Sequence, residues 1–256
     1  MTKVVILCGG MGTRLREETE YKPKPLVEVG GKPILWHIMK HYSYYGFKDF
    51  ILCLGYKGEM IKNYFLNYKT QHNNFTIALK KGNVILHNTE DDDDWNITCV
   101  DTGQESLTGE RLLRIKEFIG NDEEFMVTYG DGVSDVNINE LLAFHKQKGK
   151  IGTITGIKPV SKYGLLKINQ ENTITEFVEK PILNDRINGG YIIFNKAIFQ
   201  HLDNDMFEFT TLPMLAKQEQ LALYLHEGFW QCMDTYRDYL HLNKIWNTEK
   251  PWKLWK

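Results

Sequence analysis

Residues 3–24 read KVVILCGGMGTRLREETEYKPK, and the interpretation of the whole chain begins with this stretch. Its first part, Val4–Cys8, is a short apolar run rich in β-branched residues, which is typical of a buried parallel strand. A loop at 9–12 follows, with glycine in three of its four positions. Such a backbone can bring its N–H groups close to an anion. Because the cations Arg14 and Lys24 come next, the stretch predicts a site for the polyphosphate of a nucleotide.

Apolar runs and amphipathic segments alternate along the chain. Residues 34–45 repeat apolar side chains at three-to-four spacing and predict a helix, 50–54 predicts a second buried strand, and another helix begins at Gly58. The alternation at 174–178 predicts a half-buried strand. Further strand candidates are 75–79, 84–86, 95–100, 125–129, 151–156, 165–168 and 187–194. Strands separated by helices favour a parallel sheet with right-handed crossovers.

We therefore predict an α/β protein with a Rossmann-like, open, mixed but mostly parallel sheet flanked by helices. A small β-rich appendage and a C-terminal helical tail complete the prediction. Residues 1–256 are expected to form a single domain. Within it, 1–135 is mainly the nucleotide-binding part, 136–240 mainly the acceptor-binding part, and 241–256 an aromatic tail.

Two single carboxylates each follow an apolar stretch. Asp131 lies between two glycines directly after a predicted strand, which is where open α/β sheets bind ligands. Asp234 follows an aromatic stretch near the end of the chain. An isolated Gly-Asp-Gly can equally be a simple turn. A nucleoside triphosphate, however, needs Mg²⁺, and Mg²⁺ takes one or two carboxylates together with phosphate oxygens, so Asp131 is a candidate metal ligand.

The overall composition excludes several classes of protein. The 256 residues carry a formal net charge of −2, with a sequence pI of about 6.5. Nucleic-acid binders and membrane-surface binders are usually basic, so neither partner is expected. No apolar run approaches the ~20 residues that a membrane-spanning helix needs. The four cysteines are scattered without a zinc-binding spacing, which favours reduced thiols and a cytoplasmic protein.

Three further features have a structural interpretation. His37 and His41 lie one helical turn apart without a third ligand candidate, so a position on the helix surface is favoured over metal binding. The four adjacent carboxylates at 91–94 repel one another and favour a solvated loop over a cation site. The three tryptophans of the tail can dock on the protein's own core or form a subunit interface.

The glycine-rich loop and the lysine after it resemble the sugar-nucleotide pyrophosphorylases, which are nucleotidyltransferases acting on sugar 1-phosphates. The signature of that family is GGxGTRL, a short spacer and PKP, and the chain has GGMGTRL at 9–15 and PKP at 23–25. Further matches in family order are DTGQESLTGER at 101–111, GDG at 130–132, EKP at 179–181, INGGYIIF at 187–194 and MDTYRD at 233–238. The chain looks like the branch that transfers cytidylyl groups to glucose 1-phosphate.

The resemblance implies a Mg²⁺- or Mn²⁺-dependent enzyme that transfers CMP from CTP to a small phosphorylated acceptor. With α-D-glucose 1-phosphate as the expected acceptor, the products are CDP-glucose, for surface polysaccharide precursors, and pyrophosphate. The implied catalytic residues are Arg14, Lys24 and the two metal-binding aspartates, Asp131 and Asp234. The implied nucleotide-binding residues are Leu7, Gly9, Gly10, Met11, Gly12, Thr13, Arg14, Lys24, Ser106, Arg111 and Gly130. The implied acceptor-binding residues are Gly164, Glu179, Lys180, Asn188 and Gly189.

Two segments of the sequence leave the identity of the acceptor open. Residues 163–166, Tyr-Gly-Leu-Leu, stand where the cytidylyltransferases usually have Phe-Gly-Ala-Leu, and 207–213 replaces their Trp-Glu-x-Glu-Pro-Leu. These changes would admit another sugar 1-phosphate or a non-sugar such as phosphoglutamine, which relatives of this branch accept. Relatives form tetramers or hexamers, so a homo-oligomer is expected.

Other nucleotide-binding classes fit less well. A nicotinamide dehydrogenase would need GxGxxG, but Leu15 stands three residues after Gly12, and no acidic residue ends the second strand, where Gly55 stands. A P-loop phosphotransferase would need GK[ST] after its loop, which is absent. A catalytically silent nucleotide-binding regulator remains as an alternative to an enzyme.

Overall fold

The computed structural model describes residues 2–87 and 93–255. Its strands are β1 Val4–Cys8, β2 Glu28–Val29, β3 Lys32–Pro33, β4 Asp49–Leu54, β5 Asn74–Ala78, β6 Asn83–His87, β7 Asn96–Asp101, β8 Glu124–Tyr129, β9 Gly132–Ser134, β10 Gly152–Ile157, β11 Leu165–Ile168, β12 Ile174–Val178, β13 Ile187–Asn195, β14 Leu221–Leu225 and β15 Trp230–Cys232. Its helices are α1 Arg16–Thr19, α2 Ile34–Tyr44, α3 Gly58–Leu66, α4 Tyr68–His72, α5 Thr108–Arg114, α6 Lys116–Ile119, α7 Ile138–Lys148, α8 Thr211–Lys217 and α9 Tyr236–Thr248. Short 3₁₀ turns lie at Thr13–Leu15, Lys24–Leu26 and Lys196–Gln200.

Seven strands of the described ranges form one mixed sheet in the order β14-β10-β13-β8-β1-β4-β7. The first strand, β1, lies between β4 and β8 and runs parallel to both, and β7 extends this parallel half. β13 is antiparallel to both of its neighbours, β8 and β10. The predicted open, mostly parallel α/β sheet is confirmed. Its arrangement brings the carboxyl ends of β1 and β8 side by side.

Helices cover both faces of this sheet because the buried residues of β1 alternate between two cores. Val4 and Ile6 pack in the core that includes the apolar face of α2. Val5 and Leu7 pack in the opposite core, which receives residues of α5 and α8. A strand buried on both faces must be apolar throughout, which accounts for the continuous hydrophobic run that begins the chain.

Two hairpins stand apart from the main sheet. β5 pairs with β6, and β11 pairs with β12, each as an antiparallel two-stranded unit. These hairpins form the small β-rich part of the predicted fold. The predicted strand at 174–178 is confirmed as β12, but its predicted half-burial is wrong, because every residue of β12 is exposed, including Phe177 at 63%. The alternating pattern is typical of a strand with one covered face. In the described residues β12 pairs only with β11, and both faces of this two-stranded unit are exposed.

The prediction that His37 and His41 lie on the helix surface is wrong. Both are buried on the inward side of α2. His37 Nε2 lies 2.8 Å from the Val29 carbonyl oxygen, and His41 Nε2 lies 2.9 Å from that of Val136. Burial lowers the pKa of both side chains to about 4, so they are neutral at neutral pH.

The tryptophan-rich tail docks on the protein's own core. Trp252 is fully buried, and its indole N–H donates to His37 Nδ1 at 3.3 Å. The rings of Trp246 and Trp255 also lie near His37, at centroid distances of 4.6 and 6.2 Å. The tail therefore covers His37, whereas His41 lies against the Val136 carbonyl and the Tyr191 ring.

Of the acidic run at 91–94, only Asp93 and Asp94 belong to the described residues. Asp93 is not solvated as predicted: it pairs with Lys40 at 2.5 Å and accepts a hydrogen bond from the Tyr68 hydroxyl at 2.7 Å. Asp94 is exposed and pairs with Lys48. None of the helices in the described residues combines the length and apolar character needed to cross a membrane.

Candidate active site

A cleft of about 310 Å³ opens at the carboxyl ends of β1 and β8. The glycine-rich loop forms one wall, and the segment that enters α5 forms another. Every predicted nucleotide-binding residue lines this cleft except Met11, whose side chain is 43% exposed. The volume lies at the lower end of the about 300–1,000 Å³ typical of ligand pockets, which suits one nucleotide.

Two glycines of the loop are required by the local geometry. Gly12 has a φ of +63°, a left-handed conformation that favours glycine, and its carbonyl accepts hydrogen bonds from Leu15 N and the Thr19 hydroxyl. At Gly9, a Cβ atom would lie 2.1 Å from Cζ of Arg111. The glycine at this position therefore makes room for a guanidinium group of the protein itself.

Pairing of two short strands brings the two predicted metal ligands together. β9 runs antiparallel to β15, with Gly132 opposite Cys232. Asp131 directly precedes β9, and Asp234 follows β15 at the start of α9, where Thr235 provides a capping box. One ligand atom each of Asp131, Cys232 and Asp234 lie within 4.8 Å of one another. Residues far apart in sequence thus come within reach of a single cation.

Both predicted catalytic cations lie against these carboxylates. Lys24 Nζ is 2.7 Å from Asp131 Oδ2 and 3.1 Å from Asp234 Oδ1, and Arg14 donates to the other oxygen of Asp234. Burial lowers the pKa of Lys24, but its attraction and hydrogen bond to Asp131 outweigh burial, so the net pKa is raised. Burial raises the pKa of Asp234, but Lys24 and Arg14 outweigh it and the net pKa is lowered. Lys24 and Asp234 are thus both held in their charged forms.

The donor set fits a hard divalent cation held by oxygen. Asp131 and Asp234 supply carboxylate oxygens, which Mg²⁺ and Mn²⁺ prefer. The third member of the cluster, Cys232, has a pKa raised well above its ordinary value, mainly by burial and next by the charge of Asp131. Its sulfur therefore stays a protonated thiol, which is a poor ligand for such an ion.

Arg111 uses its guanidinium group to hold the walls of the cleft together. Its two terminal nitrogens contact five protein oxygens, those of Gly9 O, Leu54 O, Thr102 Oγ1, Gly103 O and Gln104 O, at 2.7 to 3.3 Å. These contacts tie the end of β1 and the end of β4 to the segment before α5. The predicted nucleotide contact of Arg111 stays a prediction, and the structure adds this supporting role.

The predicted acceptor-binding residues lie in two places. Glu179 and Lys180 follow β12 of the exposed hairpin and pair with each other at 3.1 Å, with Gly164 close to Glu179. Asn188 and Gly189 lie at the start of β13, a strand of the main sheet. None of these five described residues lines the cleft. Their acceptor roles remain predictions.

Some residues of the cleft were not among the predicted site residues. Tyr129 ends β8 two residues before Asp131, and its position after an apolar strand was the one available hint. Thr108 lies in the matched run 101–111 and begins α5. Met206 lies almost 100 positions further along the chain and reaches the cleft only through tertiary folding.

A strand-edge cleft with an anion-binding loop, two cations and two converging carboxylates defines a protein built to handle a nucleotide polyphosphate with a metal ion. The sequence model described as nucleotidyl transferase matches residues 3–249. The chain therefore belongs to the nucleotidyl transferase family of enzymes.

Several known proteins are similar over the full length. The glucose-1-phosphate cytidylyltransferase of Salmonella typhi is 47% identical, covering 99% of this chain and 100% of that protein. The probable glucose-1-phosphate cytidylyltransferase of Bacillus subtilis strain 168 is 46% identical with the same coverage. The crystal structure of HddC from Yersinia pseudotuberculosis superposes with a TM-score of 0.68 at 22% identity, covering 96% of this chain and all of that one. That likeness shows the shared fold.

Proposed function

We propose that this chain is a glucose-1-phosphate cytidylyltransferase, which joins CTP and α-D-glucose 1-phosphate to give CDP-glucose and pyrophosphate. The observation that carries the proposal is the contact of Lys24 and Arg14 with Asp131 and Asp234 beside the glycine-rich loop. The names of the relatives that are 46–47% identical over the whole chain support the same nucleotide and sugar phosphate.

The proposed chemistry is direct in-line transfer. A phosphate oxygen of the acceptor attacks the α-phosphorus of CTP, a new P–O bond forms, and the bond from the α-phosphorus to the bridging oxygen breaks. Pyrophosphate leaves with that oxygen. Because both reactants bring their own reacting oxygens, no Ser, Cys or His nucleophile is required. The protein's contribution is positioning and the stabilisation of charge.

Each charged side chain has a place in this scheme. The loop at 9–12 offers backbone N–H groups to the phosphates, and Arg14, largely exposed at the mouth of the cleft, holds the pyrophosphate leaving group. Lys24 is more enclosed, with 12% of its side chain exposed, and stabilises negative charge that grows at the α-phosphate. Asp131 and Asp234 would hold Mg²⁺ or Mn²⁺, which when bound neutralises phosphate oxygens.

The acceptor is assigned to the β11–β12 hairpin and the start of β13. Lys180 would neutralise the acceptor phosphate, Glu179 would bind sugar hydroxyls, and Gly164 with Asn188 and Gly189 would contact the ring. Lys180 has a positive φ of 49°, an uncommon conformation for a lysine that supports a constrained role. The altered segments 163–166 and 207–213 make another sugar 1-phosphate, or a non-sugar such as phosphoglutamine, the alternative acceptor.

The cellular setting and the assembly belong to the same proposal. We propose a cytoplasmic homo-oligomer that supplies precursors for surface polysaccharides. The exposed apolar side chains of the two hairpins support an oligomer, since large exposed apolar patches often mark subunit contacts. The division into a nucleotide-binding part at 1–135, an acceptor-binding part at 136–240 and a tail at 241–256 is likewise proposed.

A substrate panel tests the function directly. The purified chain is incubated with Mg²⁺, each of the four common ribonucleoside triphosphates and dTTP, and a set of phosphomonoesters that includes glucose 1-phosphate, mannose 1-phosphate and phosphoglutamine. Pyrophosphate release gives the rates, and mass spectrometry identifies the product. We expect CTP with glucose 1-phosphate to give the highest kcat/KM. A higher kcat/KM with CTP and another acceptor would replace glucose 1-phosphate as the proposed acceptor. Binding of CTP without release of pyrophosphate in the presence of any acceptor would favour a catalytically silent regulator.

A further inference from the structure

Glu208 lies at the rim of the cleft, in the segment between β13 and α8, and both of its carboxylate oxygens are engaged. Oε1 accepts a hydrogen bond from the Tyr129 hydroxyl at 2.5 Å. Oε2 accepts one from the Thr108 hydroxyl. Tyr129 and Thr108 both line the cleft, one at the end of β8 and the other at the start of α5. One carboxylate therefore bridges two walls of the site.

The bridge continues on both sides. The Tyr129 ring packs against Gly190, where a Cβ atom would lie 2.8 Å from Cδ2 of the ring, and the Gly190 N–H donates to Asn188 Oδ1 at 2.8 Å. On the other side, the Phe207 N–H donates to the Thr108 hydroxyl oxygen at 3.2 Å. The contacts thus run from Asn188 through Gly190 and Tyr129 to Glu208 on one side. On the other side they run from Phe207 through Thr108 to Glu208.

The two ends of this network belong to the two halves of the proposed reaction. Thr108 lies between Ser106 and Arg111, which are predicted to bind the nucleotide, and Asn188 belongs to the strand predicted to contact the acceptor. We propose that Glu208 is a positioning residue that couples the nucleotide-reading segment before α5 to the acceptor-binding start of β13. This inference rests on the proposed function, and it assigns Glu208 no contact with the reacting atoms.

A carboxylate is the group that this position requires. An ionised carboxyl has two acceptor oxygens and no donor, so it satisfies two hydroxyl donors at once. A glutamine of the same shape has a single acceptor oxygen, and its NH₂ group would face one of the two hydroxyls. Burial, and next the charge of Glu208, raise the pKa of Tyr129, so the phenol keeps its proton and remains a donor.

The test is a set of near-isosteric substitutions followed by steady-state kinetics. Because Glu208→Gln disturbs both walls, we expect it to raise the KM of CTP and that of glucose 1-phosphate together. The kcat/KM of Glu208→Gln for each substrate should fall by about 30-fold. This corresponds to about 2 kcal/mol, the size of a hydrogen bond to a charged group. Thr108→Val should raise mainly the KM of CTP, and Tyr129→Phe mainly that of the acceptor. Thr108→Ser, which keeps the hydroxyl, should restore the CTP value.

The chain offers a matched control outside the site. Glu140 of α7 accepts a hydrogen bond from the Tyr224 hydroxyl of β14 at 3.1 Å. Glu140→Gln and Tyr224→Phe make the same chemical changes as the test variants, and neither residue has a part in the proposed site. We expect both control variants to keep wild-type kinetic constants. Thermal unfolding of all variants separates a loss of fold from a loss of positioning.

The outcomes are distinct. An active wild type whose Glu208→Gln variant stays within threefold of it in kcat/KM overturns the inference, as does a fall in kcat with both KM values unchanged. If the wild type releases no pyrophosphate, the proposed function fails, and calorimetric binding of Mg²⁺ and CTP then decides the role of Glu208. In that case a tenfold weaker Kd in Glu208→Gln supports the coupling to the nucleotide wall, and an unchanged Kd refutes it.

Discussion

Replacing Lys24 by methionine removes one charge from the centre of the site and keeps most of the side chain's volume. At 2.7 Å, Coulomb's law with an effective dielectric constant of about 20 gives about 6 kcal/mol for the Lys24–Asp131 pair, and desolvation offsets much of this. The same ammonium group is placed to meet charge on the α-phosphate. Loss of one preorganised group of this kind typically costs about 2.7–4 kcal/mol in the transition state. We therefore expect Lys24→Met to lower kcat by about 100- to 1,000-fold.

Two assays check this expectation. Pyrophosphate release at saturating CTP and acceptor gives kcat, and electron paramagnetic resonance of Mn²⁺ measures binding of the ion alone. Because Asp131 and Asp234 lose their shared cationic partner, Mn²⁺ should bind the variant more tightly than the wild type. Lys22→Met is the matched control, since Lys22 lies two residues earlier and its nearest carboxylate, that of Glu28, is 3.9 Å away.

The control variant should keep turnover within about twofold of the wild type, because a lysine paired as loosely as Lys22 contributes little. A Lys24→Met enzyme with near-normal kcat would contradict the assignment of Lys24 to the reaction. Mn²⁺ binding that is unchanged or weaker in this variant would contradict the idea that Lys24 and a divalent ion compete for the same carboxylates.

Two further predictions concern stability. Arg111→Lys should lower the free energy of unfolding in urea by about 2–4 kcal/mol, because a lysine cannot reach the five oxygens that the guanidinium contacts; a loss below 1 kcal/mol would contradict this. For His37 and His41, the folded pKa of about 4 lies below the ordinary 6.5, so the unfolded state takes up protons first as the pH falls. The contribution of these histidines to the free energy of unfolding is complete above pH 6.5 and declines toward pH 4. Between pH 8 and pH 5 it falls by about 2 kcal/mol per histidine. Urea titrations at pH 8 and pH 5 should show a smaller change in the free energy of unfolding for His37→Gln than for the wild type. Equal changes would refute the view that His37 is buried in its neutral form.

Local patterns predicted six of the seven strands of the central sheet and missed the edge strand β14. The run Val4–Cys8 matches β1 residue for residue, because a strand buried on both faces has no polar positions to interrupt it. Helix α2 begins at Ile34 after a proline, as its spacing predicts. The cleft was also predictable in outline, since the loop at 9–12 and Asp131 both follow central parallel strands, and such strands end at one edge of the sheet.

Features that depend on distant segments were not predictable in this way. Nothing near His37 in sequence indicates that Trp252 will cover it. The apolar and polar alternation of β12 is identical whether or not another layer packs on it. Glu208 stands in a segment without a secondary-structure signal, and its importance follows only from the two hydroxyls that folding brings to it. A sequence pattern indicates which side chains can be buried, but the tertiary fold determines which residues they contact.

The arrangement of charges has a consequence for how the substrates load. Arg14 and Lys24 balance Asp131 and Asp234, so the four side chains together carry no net charge. A nucleoside triphosphate that enters the cleft offers these two cations a stronger set of anionic partners. Each cation that turns toward phosphate leaves a carboxylate free for a hard divalent ion. Nucleotide binding and metal binding should therefore strengthen each other by the same factor, as linkage requires, and Lys24, which contacts both carboxylates, is the residue through which this coupling acts.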